Sequence, residues 1–142
     1  MNTLIDTDTL LGLFNISDLL HKKAVKWTKK LAKKGINTLI LPTTLCEFAL
    51  LASSRIGMKE THEATKKLTN STFSVLEITE DLTSKAVSLY EKQTSKEESL
   101  FDCYVMSAAK KLGIKYIFSF DTGYKKSING FQLVCDLESP FN

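Results

Sequence analysis

The hydrophobic positions of the chain repeat with two different periods. Over residues 17–34, four apolar side chains recur at the spacing of one helix face: Leu20, Ala24, Trp27 and Leu31. The lysines of this segment crowd the opposite face, so the pattern predicts an amphipathic helix that ends at Gly35. Short apolar runs rich in Ile, Val, Leu and Phe alternate with such helical segments and predict strands.

Together these patterns predict alternating strands and helices along the whole chain. The predicted strands are 3–5, 38–41, 73–78, 116–120 and 131–137. The predicted helices are 7–15, 17–34, 44–56, 57–70, 79–93 and 99–112, with a polar loop at 94–98. Because parallel neighbours need a crossover that is usually helical, this order favours an α/β fold with a mainly parallel central sheet. No linker or repeat divides the chain, so we expect a single domain over residues 1–142.

Composition narrows the class of protein. The 142 residues are 43% hydrophobic and 25% charged, as in an ordinary globular domain. The three cysteines lie far apart without a C-x-x-C pair, which favours neither a disulfide framework nor a zinc site. Acids stand near the start where a signal peptide carries positive charge, and no uncharged stretch reaches the ~20 residues of a membrane span. We therefore expect a cytoplasmic location and no membrane partner.

Four acidic residues are predicted to meet at one edge of the sheet. Asp6 and Asp121 each directly follow a strand, and Glu47 lies in the first turn after the second strand. Asp102 opens a helix that runs antiparallel to the strand it feeds, so it begins above the same carboxyl edge. Open parallel sheets bind their ligands at that edge.

These acids have two interpretations. Acids near helix N-termini are favoured by capping alone, and both Thr44-x-x-Glu47 and Ser99-x-x-Asp102 match the pattern of a capping box. Four converging carboxylates, however, repel one another unless a cation lies among them. Oxygen ligands without His or Cys favour Mg²⁺ or Mn²⁺ over zinc. The second interpretation is therefore a metal-dependent hydrolase of phosphodiester bonds.

The arrangement of these residues resembles the PIN-domain ribonucleases, and in particular the VapC-like toxins of type II toxin–antitoxin systems. The resemblance covers nearly the whole chain and rests on Leu4-Ile5-Asp6-Thr7, on Glu47 after the second strand, on the helix that begins around Asp102, and on Ser119-Phe120-Asp121. It implies a three-layer PIN-like domain and an Mg²⁺- or Mn²⁺-dependent endoribonuclease that cleaves single-stranded or structured RNA. It also implies a small antitoxin protein as partner and a homodimer.

By position, the acidic quartet of the family corresponds to residues that would bind metal and catalyse cleavage: Asp6, Glu47, Asp102 and Asp121. Thr7 and Ser119 would flank the site. Two positions depart from the family pattern. Asp8 stands where many members have Ser or Asn, and would either face the metal or cap a helix. Gly123 stands before Tyr124 where many members have an acid, which removes an outer carboxylate.

Lysines are expected to bind the phosphates of the substrate beside this acidic centre. The net charge of +3 is too small to indicate a nucleic-acid binder by itself. The candidates are those near the predicted site elements: Lys110, Lys111, Lys125 and Lys126. Arg55 is the only arginine in the chain.

Two alternatives remain open at this point. Asp6-Thr7-Asp8 after a strand is also similar to the acid pair of haloacid-dehalogenase-type phosphatases, although no paired acids follow the late strand and Glu47 would then have no role. The other alternative is a catalytically weak or inactive PIN-like module that binds RNA or protein, in which the acids only cap helices. Gly123 keeps that alternative open.

Overall fold

A five-stranded sheet forms the centre of the structure, which is a computed structural model that describes residues 1–127 and 130–137. Its order is β3-β2-β1-β4-β5, and every neighbouring pair is parallel. The strands are β1 (Asn2–Ile5), β2 (Asn37–Ile40), β3 (Ser74–Val75), β4 (Tyr116–Phe118) and β5 (Gln132–Leu133). The predicted parallel sheet is confirmed. The predicted domain bounds of 1–142 extend beyond the described residues.

Helices cover both faces of this sheet. In the part of the chain that the structure describes, they are α1 (Thr7–Phe14), α2 (His21–Lys33), α3 (Pro42–Ile56), α4 (Met58–Thr69), α5 (Glu80–Glu91), α6 (Leu100–Lys111) and α7 (Gly123–Lys126), with a short 3-10 helix at Val134–Asp136. One hydrophobic core joins the sheet to α1–α4, and the other joins it to α5–α7. The result is the predicted three-layer α/β fold.

Alternation along the strands divides the side chains between the two cores. Leu4 belongs to the core beneath α5 and α6, whereas its neighbour Ile5 belongs to the core beneath α1–α4. Ile117 and Phe118 divide in the same way on β4. Both faces are covered, so these strands are apolar at successive positions instead of alternating with polar residues.

The chain order creates a crevice between β1 and β4. From β1, the chain passes through α1 and α2 to β2 on one side, and β4 joins β1 on the other side only after α6. In open parallel sheets this change of direction leaves a crevice at the carboxyl ends of the two central strands. Asp6 follows β1 and Asp121 follows β4 closely, so the sheet topology places both acids beside the crevice.

Two predicted helix starts are wrong. The helix predicted over 17–34 begins only at His21, because the Asn15 and Asp18 side chains accept hydrogen bonds from the N–H groups of Ser17 and Leu20 and hold a turn there. The helix predicted from Thr44 begins at Pro42, whose fixed φ suits the first turn of a helix. The predicted stop at Gly35 is confirmed, since its φ of +68° suits glycine.

The last three strands are shorter than predicted, whereas β1 and β2 match their predicted bounds to within one residue. β3 covers only Ser74–Val75, although the N–H of Leu76 still donates to the carbonyl of Ile40. β4 ends at Phe118 because the residues after it turn toward α1. The last strand, predicted over 131–137, ends at Leu133 and is followed by a 3-10 helix. Helix α7 was not predicted, since four residues are too few to show a period. No helix among the described residues is long and apolar enough to cross a membrane.

Candidate metal-binding active site

The four predicted acids lie together at the carboxyl edge of the sheet. Asp6, Glu47, Asp102 and Asp121 all line one open cleft of about 430 Å³. They are supplied by the end of β1, the first half of α3, the first turn of α6 and the loop after β4. The structure therefore brings together four carboxylates that are up to 115 positions apart in sequence, as the predicted topology requires.

The cleft is strongly acidic. Seven of its thirteen lining residues are Asp or Glu, because Asp8, Asp18 and Glu97 join the four predicted acids. Arg55, in the last turn of α3, is the basic residue that lines it. Such a cleft attracts cations and repels the phosphates of a nucleic acid unless positive charge enters it.

Tyr124 links two of these carboxylates. Its hydroxyl donates to Oδ2 of Asp6 at 2.7 Å and lies 3.3 Å from Oδ1 of Asp102. The ring is buried in the core beneath α6, with 2% of its surface exposed, so the hydroxyl is held in place by packing. The two acids therefore lie within reach of a single neutral donor.

Asp6 and Asp102 each cap a helix with one carboxylate oxygen and leave the other for a different contact. Asp6 uses Oδ1 to accept from the N–H of Thr7 and turns Oδ2 to Tyr124. Asp102 uses Oδ2 to accept from the backbone and hydroxyl of Ser99, which confirms the capping box predicted at Ser99, and turns Oδ1 toward Tyr124. Each carboxylate thus satisfies a helix N-terminus with one oxygen and lies against the Tyr124 hydroxyl with the other.

Glu47 does not cap its helix. The capping box predicted for Thr44 and Glu47 is wrong, because α3 begins two residues before Thr44 and has Leu41 at its N-cap. The Glu47 carboxylate instead accepts a hydrogen bond from the Thr7 hydroxyl, across from α3 to α1. Thr7 therefore orients a carboxylate that is not needed for the helix itself.

Asp8 ties α1 to the loop after β4. Its carboxylate accepts from the Ser119 hydroxyl at 3.1 Å and from the N–H of Phe120 at 2.8 Å, as well as from the N–H of Thr9. Of the two roles left open for Asp8, helix capping is wrong, because Asp6 stands at the N-cap of α1 and Asp8 lies within its first turn. Asp8 also lines the acidic cleft, so a role that faces the metal stays a prediction. Ser119 in turn accepts from the N–H of Asp121 at 3.0 Å, so the network also places the loop that carries Asp121.

Gly123 allows the Asp121 carboxylate to fold back over the loop. The N–H of Gly123 donates to Oδ1 of Asp121 at 2.8 Å. A Cβ atom at position 123 would lie 3.1 Å from the same oxygen, which is closer than ordinary van der Waals contact. An acid at this position would therefore push against Asp121 instead of simply adding a carboxylate to the site.

Burial makes the acidic site costly to charge. It raises the pKa of Asp6 to about 8, and the neighbouring charge of Asp8 adds to this effect. Burial is also the main cause of the raised pKa values of Asp8 and Glu47, opposed by the hydrogen bonds that each accepts. A cation at the cleft would lower all three values, since it favours the charged form.

We expect the metal-free protein to lose stability as the pH rises. The pKa of Asp6 is about 8 in the folded state and near 3.8 when unfolded, so between these values the folded state binds more protons. The stability that protonated Asp6 retains at pH 5 should therefore be lost progressively toward pH 8. Thermal unfolding in EDTA across this range measures it.

The matched variant for this measurement is Asp6→Asn, which resembles the protonated acid. Its melting temperature should exceed that of the wild type at pH 8 and match it near pH 5. A wild-type melting temperature that rises from pH 5 to pH 8 in EDTA, with the same slope in the variant, would contradict the burial of a costly charge at Asp6.

The predicted phosphate-binding lysines lie in three different places. Lys126 lines a pocket beside the cleft together with Asp102 and Asp121. Lys125 forms an ion pair with Asp136 at 2.7 Å. Lys110 and Lys111 lie in the last turn of α6, at the opposite end of the helix from Asp102.

Sequence reasoning did not assign several residues of the cleft. Asp18 and Glu97 lie in a turn and a loop, where an isolated acid carries no distinguishing signal. Arg55 had a signal, since it is the only arginine in the chain. Tyr124 follows the glycine that departs from the family pattern, but only the structure reveals its contacts with Asp6 and Asp102.

The carboxylates suit a hard divalent cation in their chemistry. Their ligand atoms are all oxygen, which such an ion prefers. Burial is the main cause of the raised pKa values of Asp6 and Glu47, and neighbouring carboxylates raise them further, so a cation would favour the charged forms. Among residues 1–127 and 130–137, no three Asp, Glu, His or Cys side chains lie close enough together to hold one ion. Ion binding would therefore draw these side chains closer together.

Comparison with known proteins identifies the family. The family model for the PIN domain matches residues 3–127, which include all four predicted acids. The chain therefore belongs to the PIN-domain family, whose members include nucleases. No curated protein matches the sequence significantly.

Solved structures with a similar fold include toxins of toxin–antitoxin pairs. VapC20 of Mycobacterium tuberculosis, a toxin that cleaves the sarcin–ricin loop, is 22% identical with a TM-score of 0.78, over 87% of this chain and 93% of that chain. VapBC2 of Rickettsia felis, solved with a promoter DNA fragment, is 15% identical with a TM-score of 0.71, over 94% and 97%. A toxin–antitoxin complex from Klebsiella pneumoniae is 20% identical with a TM-score of 0.60, over 91% and 94%. At these identities the likeness supports the fold.

Proposed function

We propose that this chain is a metal-dependent endoribonuclease and the toxin of a toxin–antitoxin pair. The observation that carries the proposal is the acidic cleft at the β1/β4 crevice, where Tyr124 links Asp6 and Asp102 and where Glu47 and Asp121 also lie. Membership of the PIN family supports nuclease activity, and the similar fold of VapC toxins supports the toxin role.

Asp6, Asp102, Asp121 and Glu47 would hold one or two Mg²⁺ or Mn²⁺ ions. A bound ion would acidify water, bind the oxygens of the scissile phosphate and neutralise the charge that develops on them. During hydrolysis, the water oxygen bonds to phosphorus as the bond to the leaving ribose oxygen breaks. Thr7 would orient Glu47 toward the attacking water, and Asp8 with Ser119 would hold the loop that presents Asp121.

The phosphatase alternative loses support in the structure. A phosphatase of the haloacid-dehalogenase type would need Asp8 to exchange a proton with the substrate. Its carboxylate instead accepts hydrogen bonds from Ser119, Phe120 and Thr9, which hold it against the loop after β4.

Metal removal provides the direct test of the proposed function. Purified wild-type protein should cut end-labelled RNA, single-stranded or structured, when Mg²⁺ or Mn²⁺ is present and should leave it intact in EDTA. Fragments on a denaturing gel measure this, and restored cleavage after excess Mn²⁺ is added back controls for unfolding in EDTA. Folded protein that binds Mn²⁺ but cuts none of several RNAs would instead favour the RNA- or protein-binding module.

An antitoxin that enters the acidic cleft would complete the toxin role. The complexes from Rickettsia felis and Klebsiella pneumoniae support a partner of this kind. The excess of acids in the cleft favours a basic side chain from that partner. Ile16 and Leu19, 83% and 98% exposed, lie beside Asp18 and Leu20 at the cleft and would offer apolar contacts to it. We also expect a homodimer, as the resemblance to the toxins implies.

A further inference from the structure

A second depression lies between α5 and α6, on the face of the sheet away from α1–α4. Its volume is about 500 Å³, and four lysines line it: Lys85 from α5, Lys92 from the C-cap of α5, and Lys110 and Lys111 from α6. Three serines and Leu89 complete the lining, which contains no acid among the described residues. Its charge is therefore opposite to that of the acidic cleft.

The lysines of this depression are only partly neutralised. Asp81, which does not line it, pairs with Lys85 at 3.0 Å and with Lys111 at 3.4 Å. Neither Lys92 nor Lys110 forms an ion pair within the described part of the chain. Two lysines without an ion-pair partner among the described residues thus line the depression, and an anion bound there would contact lysines on both sides.

The serines supply neutral donors between these charges. Ser84 and Ser88 lie on α5, and Ser107 lies on α6 with only 8% of its surface exposed. Lysine ammonium groups and serine hydroxyls are the groups that bind the phosphate oxygens of nucleic acids. Leu89 and the apolar stems of the lysines also line the depression, so an acidic protein segment is the competing occupant that the binding experiment below distinguishes from RNA.

Helix α6 connects this depression to the acidic cleft. Asp102 lies in its first turn and Lys110 in its last, and eight residues correspond to about 12 Å along a helix axis. A few nucleotides of single-stranded RNA can span that distance. The two sites therefore lie on one path along a single helix.

We propose that the depression lined by Lys85, Lys92, Lys110 and Lys111 binds the phosphodiester backbone of RNA a few nucleotides from the bond that is cut in the acidic cleft. The inference rests on the proposed ribonuclease function and deepens it. It gives the enzyme a source of affinity for RNA outside a cleft whose own charge opposes RNA binding. The catalytic acids then have no need to attract the substrate themselves.

RNA binding without cleavage tests the proposal. The measurement uses the Asp102→Asn protein, fluorescently labelled single-stranded RNA, EDTA and a series of salt concentrations. Adding Lys92→Ala and Lys110→Ala should weaken binding several-fold at low salt. It should also reduce the slope of log K against log[salt] by about 0.7 for each RNA phosphate that the protein no longer neutralises.

The matched control replaces two lysines of α2, Lys26→Ala and Lys29→Ala, in the same background. This removes the same charge from another lysine-lined surface, so its effect measures long-range electrostatics alone. Equal losses in the two double variants, or an unchanged salt slope after the α5–α6 substitutions, would overturn the proposal. Either outcome is expected if the depression binds a protein partner instead of RNA.

Cleavage kinetics separate this inference from the proposed function. In the protein that retains Asp102, the Lys92→Ala/Lys110→Ala variant should raise KM several-fold while kcat at saturating RNA stays near the wild-type value. A wild-type protein that binds RNA through Lys92 and Lys110 but never cuts it would refute the ribonuclease and keep the binding site. Cleavage with a KM unaffected by the two substitutions would do the reverse.

Discussion

Asp102→Asn is expected to abolish RNA cleavage while the chain remains folded. Oδ1 of Asp102 faces the Tyr124 hydroxyl that also contacts Asp6, so the substitution removes a charge from the centre of the proposed metal site. Loss of one well-placed electrostatic group in an active site costs on the order of 10²–10³-fold in rate. We expect a loss at the upper end of that range, because the charge would ligate the ion directly.

The fold should tolerate the change because the capping role of Asp102 survives in asparagine. Oδ2 of Asp102 accepts from the N–H of Ser99 at 2.8 Å, and the amide oxygen of asparagine can accept the same bond. The N–H of Asp102 can still donate to the Ser99 hydroxyl, which completes the cap at the start of α6. Melting temperatures of the two proteins in EDTA should therefore differ by only a few degrees.

Glu63→Gln is the matched control for Asp102→Asn. Glu63 is exposed on α4, does not line the cleft, and loses the same charge. It should cut RNA like the wild type. Full activity of a folded Asp102→Asn protein would remove Asp102 from the catalytic site, and equal losses in both variants would assign the effect to overall charge.

The sheet edge could be predicted from the sequence because topology depends on element order. Strands alternating with helices require parallel strands with crossovers, and this places residues after different strands at one edge whatever the exact boundaries. Asp6 and Asp121 therefore meet although β4 ends two residues earlier than predicted. Local hydrogen bonds could not be predicted in this way. The side chains of Asn15 and Asp18 hold a turn that delays the start of α2, and the spacing of hydrophobic residues does not reveal it.

Which acids cap helices and which bind other elements could not be predicted from the sequence, because it depends on the direction of each side chain. Thr44-x-x-Glu47 and Ser99-x-x-Asp102 have the same spacing, but only Ser99 stands at the start of its helix. The Asp8 side chain turns to Ser119 and Phe120, more than a hundred positions away in sequence. Pairings over such separations arise from packing between elements and leave no local signal.

Tyr124→Phe is expected to weaken Mn²⁺ binding by about 10–100-fold, the usual cost of removing a partner that orients a metal ligand. The Tyr124 hydroxyl donates to Asp6 and lies within 3.3 Å of Asp102, so one neutral group holds two carboxylates that would otherwise repel each other. Phenylalanine keeps the buried ring and removes only this hydroxyl. Mn²⁺ titration by calorimetry in the absence of RNA measures the change directly.

Tyr104→Phe provides the control, since it removes a hydroxyl from another tyrosine packed against the same core. The Tyr104 hydroxyl donates to Thr83 at 3.1 Å and does not line the acidic cleft. That variant should bind Mn²⁺ like the wild type. If the two variants bind Mn²⁺ equally, the position of Asp6 and Asp102 does not depend on the Tyr124 hydroxyl. Tighter binding by Tyr124→Phe would instead mean that the hydroxyl competes with the ion for Oδ2 of Asp6.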